Sequence, residues 1–294
     1  LRPGGGQAWV GWQDAVAGKP NGAHHFGQSS RAVVDRSRSE LAGALGCRGH
    51  ELVLCGSGSE ANALAIHAAC AARAEQVQKP DAHIRCSAID HSSVLRNAES
   101  HLETRLIAVD ANGMIDQAAL LADLDERCVL LCVQFANNEL GCIQAVEDLV
   151  AAVRARSPET LILMDACQGA GKYPLALRTL DVDFATIAGH KFGAPKGCGI
   201  FYAKVGLKID ALIHGGRQQQ DRRSGTEDVA AIAAMAAAMK ASVLSYEADS
   251  ARQLRLIEDT WQRIKEALPD AQWLAKDARR LPNTMSIAHA GVKN

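Results

Sequence analysis

Short apolar runs recur through the first two-thirds of the chain, separated by stretches whose apolar residues return every three or four positions. Runs of this length, rich in Val, Ile and Leu, predict strands at residues 51–55, 84–88, 105–109, 129–134, 161–164, 184–187 and 199–202. The stretches between several of them predict helices at 60–73, 92–101, 117–124 and 146–156. Apolar strands alternating with helical segments indicate an α/β fold, a mostly parallel sheet covered by helices. Ligands bind such sheets beyond the carboxyl ends of the strands. After Thr226 the pattern changes. Residues 228–268 are Ala-rich with helical periodicity and predict two long helices; 281–288 predicts a turn leading into a strand. No repeat or low-complexity linker interrupts the chain.

Composition narrows the function. The 294 residues are 48% hydrophobic and 22% charged, with a net charge of -1, so nothing electrostatic favours a nucleic-acid or membrane partner. The first residues lack the regions of a signal peptide, and no apolar run reads as long enough to cross a bilayer. The nine cysteines form no C-x-x-C pair, which predicts reduced thiols, no metal site and a cytoplasmic setting.

Five segments carry candidate chemistry, each at the end of a predicted strand. In Asp183-Phe-Ala-Thr-Ile-Ala-Gly-His190-Lys191-Phe-Gly a strand delivers a His-Lys pair into a Gly-rich turn. A lysine there can form a Schiff base with an aldehyde cofactor, although most lysines are surface charges. Leu161-Ile-Leu-Met-Asp165-Ala-Cys-Gln168 places a carboxylate where it can keep a pyridine nitrogen protonated, or simply cap a turn. Gly56-Ser-Gly58-Ser59-Glu60-Ala-Asn62 opens a helix with exposed N–H groups suited to a phosphate, or to an ordinary capping turn. Asp90-His91-Ser92-Ser93 offers an imidazole that can stack on a planar ring and shuttle protons; its plainer reading is a capping loop. In Gln134-Phe-Ala-Asn137-Asn138-Glu139-Leu-Gly141, Asn138 can donate to a phenolic oxygen or sit in a turn. Singly each is ambiguous; together they are not.

Together the segments resemble the cysteine desulfurases, in the class V branch of fold-type I enzymes that use pyridoxal 5′-phosphate. The His-Lys-x-x-Gly-x-Pro-Lys-Gly run, the Asn-Asn-Glu-x-Gly run and His214-Gly-Gly-Arg-Gln-Gln-Gln-Asp-Arg-Arg-Ser-Gly-Thr226 carry the likeness most specifically. The resemblance implies a large cofactor-binding domain over residues 1–236 and part of a small α+β domain over 237–294. It implies Lys191 as the Schiff-base lysine, Asp165 on the pyridinium nitrogen, and His91 stacked on the ring. Asn138 and Gln168 would contact the phenolic oxygen; Gly58, Ser59 and His190 would hold the phosphate. Thr226 would reach the phosphate in the neighbouring subunit of a homodimer. Lys191 and His91 are the implied catalytic groups, L-cysteine the substrate, and a sulfur-acceptor protein, as in iron–sulfur cluster assembly, the partner.

Among the chain's departures from the family pattern, two bear directly on the site. Ala188 stands where the family usually has a phosphate-binding Ser, with Thr186 the neighbour that could compensate. The family's nucleophilic cysteine and carboxylate-binding Arg are expected beyond Asn294, and Cys142 and Cys167 read as small buried residues near the cofactor. Alternatives are another class V enzyme, an aminotransferase or lyase, or a non-catalytic scaffold that retains the fold.

Overall fold

The computed structural model describes residues 1–15 and 18–292. Its strands are β1 (Leu52–Cys55), β2 (His83–Ser87), β3 (Glu103–Ile107), β4 (Cys128–Gln134), β5 (Leu161–Asp165), β6 (Phe184–Ala188), β7 (Gly199–Ala203), β8 (Gln272–Leu274) and β9 (Ser286–Ala288). Its helices are α1 (Pro3–Ala15), α2 (His25–Ala44), α3 (Gly58–Ala72), α4 (Ala74–Val77), α5 (Ser92–Glu99), α6 (Gln117–Asp123), α7 (Val146–Arg156) and α8 (Val229–Ala267). The first seven strands form one sheet in the order β1-β7-β6-β5-β4-β2-β3. Strands β2 to β6 run parallel to their β-neighbours, and β7 alone runs against both β6 and β1. The predicted α/β class and every predicted strand are present, shifted by a residue or two at their ends.

One apolar layer packs α3 and α5 on one face of the sheet, through Ala61, Leu64, Ala65 and Val94. The other packs α2, α6, α7 and α8 on the opposite face, through Leu41, Leu120, Val153 and Met235. Strand residues alternate between the layers as a pleat requires: in β5, Leu161 and Leu163 face α3 while Ile162 and Met164 face away. In β4 the alternation slips once, because Val129 is an extra residue in the register with β2 and both it and Leu130 face α3.

Two expectations need correction. Residues 228–268 form one continuous 39-residue helix, α8, rather than two. The Ala-rich sequence contains no Gly or Pro to break it, and its first half is held along its length by α1 and α2. That helix is also long and apolar enough to cross a membrane by composition, with a mean hydropathy of 1.6 over its best window, contrary to the expectation of no such run. Alanines interspersed with Val, Ile, Met and Leu supply that hydropathy, and 61% of the window is buried inside the fold. Helices α1 and α2 and strand β8 were not anticipated. The first is rich in Gly, the second is interrupted by Ser and charge, and the third is only three residues long.

Candidate active site

The carboxyl ends of the parallel strands create the site. Register places Gln134, Asp165 and Thr186 in one row across β4, β5 and β6. By the pleat all three face α3, and immediately past them the chain leaves each strand. There a cavity of about 210 Å³ opens. Gly58, Ser59, His91, Asn138, Asp165, Gln168, His190 and Lys191 all line it. Those are the expected residues, drawn from five separate strand ends.

Helix α3 enters the cavity by its N-terminus. Ser57 is its N-cap, in extended conformation, and its hydroxyl accepts from Glu60 N at 3.1 Å. The first-turn N–H groups of Gly58 and Ser59 have no acceptor within the helix and carry the positive end of its dipole. Gly58 is required by close packing: a Cβ there would lie 2.8 Å from Cys167 Sγ and 3.0 Å from Ala188 Cβ. An anion beside this turn therefore sits directly on backbone.

Asp165 forms the floor. It is buried, with Oδ1 accepting from Cys167 N at 2.9 Å and Oδ2 from the Asn62 amide at 3.1 Å. Asn62 in turn accepts from Thr186 Oγ1 at 2.6 Å and donates to Ser93 Oγ at 2.9 Å. Thr186 is thus committed to Asn62 and does not border the cavity, so it does not compensate for Ala188, which does. Asn62 lies within the helix-opening motif, and its role emerges only from the structure. Its signal was a polar residue one helical turn after Gly58, on the same face of an otherwise apolar helix.

His91 caps α5, its Nδ1 accepting from Ser93 N at 3.1 Å, and its ring stands exposed at the cavity mouth. Asn137 is structural: its Oδ1 accepts from Glu139 N at 2.9 Å and Leu140 N at 2.7 Å, shaping the turn that exposes Asn138. His190 and Lys191 lie on a 3-10 turn, Gly189–Phe192, closed by Gly193 at φ 91°. Burial first, then the Lys191 charge, pulls the His190 imidazole below its ordinary range, favouring the neutral ring. Behind His91, Asp90 is buried and held well above the usual carboxylate range, by burial first and then by Asp165.

Thr226 does not join the others. It lies exposed on a different concavity, between β1 and the start of α8, with Arg223 and Asp228. The segment leading to it is anchored from α3, where Glu60 pairs with Arg223 at 2.6 Å and accepts from Gly56 N at 2.8 Å. The cysteine expectation divides. Cys142 is fully buried away from the cavity, whereas Cys167 borders it. Burial and the Asp165 charge nevertheless hold the Cys167 thiol protonated. No group of His, Cys, Asp or Glu suited to a metal occurs among the described residues.

The residues present fit pyridoxal phosphate. The α3 N-terminus offers an anion seat that a Cβ at Gly58 would fill, a carboxylate and an amine face one cavity, and the buried Gln134 Nε2 at its wall has no partner among the described residues.

Comparison with known proteins agrees with this geometry. The model of the class-V aminotransferase family matches residues 12–294. The chain is 30% identical over 280 residues to the cysteine desulfurase IscS of Dictyoglomus turgidum, covering 94% of this chain and 70% of that one. It is 32% identical over 275 residues to a cysteine desulfurase of Nostoc, covering 92% and 67%. Among solved structures, a NifS-like protein superposes with a TM-score of 0.93 at 29% identity, covering 100% of this chain and 80% of that one. DndA from Streptomyces lividans superposes with a TM-score of 0.87 at 26% identity, covering 99% of this chain and 82% of that one. The chain belongs to the class-V aminotransferase family, within the group of cysteine desulfurases.

Proposed function

We propose, from that membership, that the cavity holds pyridoxal phosphate on Lys191 and that the chain removes sulfur from L-cysteine, leaving L-alanine and a persulfide for transfer to an acceptor protein. The convergence of Lys191, Asp165, His91 and the α3 N-terminus on one cavity carries this reading. When bound, the cofactor supplies an electron sink next to the substrate's α-carbon.

The residues divide the remaining work. Gly58, Ser59 and His190 seat the phosphate through backbone N–H groups, a hydroxyl and a neutral imidazole. Asp165, held by Asn62 and Cys167 N, would offer a charge-assisted hydrogen bond to the ring nitrogen and favour its protonation. His91 would cover the ring, and Asn138 and Gln168 would donate to its phenolic oxygen. Lys191 would hold the cofactor and serve as the base that moves protons at the substrate's α-carbon.

Sulfur abstraction needs a thiolate. Burial pushes the thiols of Cys47, Cys128 and Cys198 up to about 12 and of Cys70 to about 11, and raises those of Cys55, Cys132, Cys142 and Cys167 as well. Held protonated by burial, these eight thiols are poorly suited to be the attacking thiolate. A homodimer is supported by the placement of Thr226, which is exposed on a separate concavity rather than lining its own cavity. The nine unpaired cysteines support a reducing, cytoplasmic setting. The division at residue 236 is supported by the main sheet lying wholly before it and the β8–β9 pair wholly after.

The test is reduction with borohydride followed by peptide mapping. Protein purified with pyridoxal phosphate should carry the reduced adduct on Lys191, and Lys191→Ala should lose it. An adduct on another lysine would contradict the site, and failure of L-cysteine to perturb the visible absorption band would contradict the substrate.

A further inference from the structure

Lys172 lies just outside the cavity wall, half-buried, and its Nζ donates to Gln168 Oε1 at 2.6 Å. The segment between these residues is closely determined. Lys172 N donates to Gly169 O at 3.0 Å. A Cβ at Gly169 would come 2.4 Å from the Phe135 ring, and Gly171, at φ 70°, is pressed against Phe192 beside Lys191. The turn thus returns the lysine onto the glutamine. The titratable groups facing Lys172 are Lys191, on the turn after β6, and the protonated Cys167, after β5; His190 feels Lys172 in turn. None of these is a carboxylate that would claim the ammonium. Burial first, then Lys191, lowers its proton affinity to about 8, which leaves it charged at neutral pH.

An ammonium has only donors, and an amide has a donor end and an acceptor end. Occupying Oε1 therefore decides which end of Gln168 remains for the cavity. We infer that Lys172 is a positioning residue: by donating to Gln168 Oε1 it holds the Gln168 amide with Nε2 toward the cavity, where that N–H meets the phenolic oxygen of the bound cofactor. This rests on the reading above that pyridoxal phosphate occupies the cavity.

A donor aimed at the phenolic oxygen favours the more negative protonation state of the bound cofactor. Its loss should move the pH midpoint of the cofactor's visible absorption band upward. Titrating that band in the holoprotein tests the inference. Lys172→Met should raise the midpoint by about one pH unit, the scale of one charge-assisted hydrogen bond, and Lys172→Arg should restore it. Gln168→Glu, which keeps Lys172 engaged but removes the donor, should raise it as well. In a Gln168→Ala background Lys172→Met should have no further effect, because the interaction it removes is already gone. An unchanged midpoint in Lys172→Met and in Gln168→Glu, with the borohydride adduct still on Lys191, would overturn the role of Lys172 while leaving the site intact. A parent protein with no adduct on Lys191 would overturn the site reading and this inference with it.

Discussion

Asp165, Asn62 and Thr186 form a chain of hydrogen bonds in which each polar group has a partner before any ligand enters. Losing one member leaves a buried group unsatisfied, which costs about 1–3 kcal/mol. Asn62→Ala should therefore lower the melting temperature and loosen cofactor binding together, read by thermal unfolding with and without pyridoxal phosphate. Asp165→Asn keeps the shape of the network but replaces the carboxylate by a neutral amide. It should fold normally yet lose nearly all turnover of L-cysteine; substantial alanine release would exclude the proposed role. Asp90 gives a prediction of opposite sign. Its folded-state affinity for protons is raised, so between the ordinary carboxylate range and that higher value the folded state binds more protons than the unfolded. Stability then falls as pH rises through that window, by at most about 1.4 kcal/mol per pH unit. Asp90→Asn, which retains an acceptor for Ser87 N, removes this loss. The variant should melt higher than the parent at pH 7, with the difference shrinking toward pH 4.

At the scale of elements, the start of α3 sets the phosphate seat. Gly58 has no room for a methyl group, so Gly58→Ala should weaken pyridoxal phosphate binding while leaving β1 and α3 in place. Ala188, opposite it on the end of β6, contributes no hydroxyl, and Thr186 cannot substitute because its own hydroxyl is engaged. One added hydrogen bond to a charged phosphate is worth about 1.5–3 kcal/mol. Ala188→Ser should tighten binding by about tenfold or more in equilibrium titration; equal or weaker affinity would mean that the seat is already complete. These elements were well legible in the sequence. β4, β5 and β6 are buried throughout, so largely apolar runs marked them, and the residues at and just past the end of each run line the cavity. Helix α2 was less legible because charged residues and serines interrupt its buried stripe of Val33, Val34, Ser37 and Leu41.

For the whole molecule, the proposed homodimer would complete each site with Thr226 of a second copy, since Thr226 does not line its own cavity. Thr226→Val should weaken cofactor binding without altering its own cavity. Mixing Thr226→Val with Lys191→Ala protomers should yield heterodimers with one complete site each, and activity well above either parent. No recovery after confirmed subunit exchange would argue that each protomer completes its own site.

Periodicity and the residues at strand ends were determined by the sequence alone: the α/β class, seven strands, and Lys191, Asp165, His91 and Asn138 as the groups of interest. Such signals are local, since burial of a strand or one face of a helix is written in consecutive residues. Only the tertiary structure decided what meets what. The sheet order is not the chain order, so the row of Gln134, Asp165 and Thr186 exists only once β4, β5 and β6 lie side by side. The same packing brings Asn62 onto Asp165, folds Lys172 back onto Gln168, and places Thr226 on a separate concavity. Each of these depends on distances between elements far apart in the chain, and no local pattern of apolar and polar residues encodes such a distance.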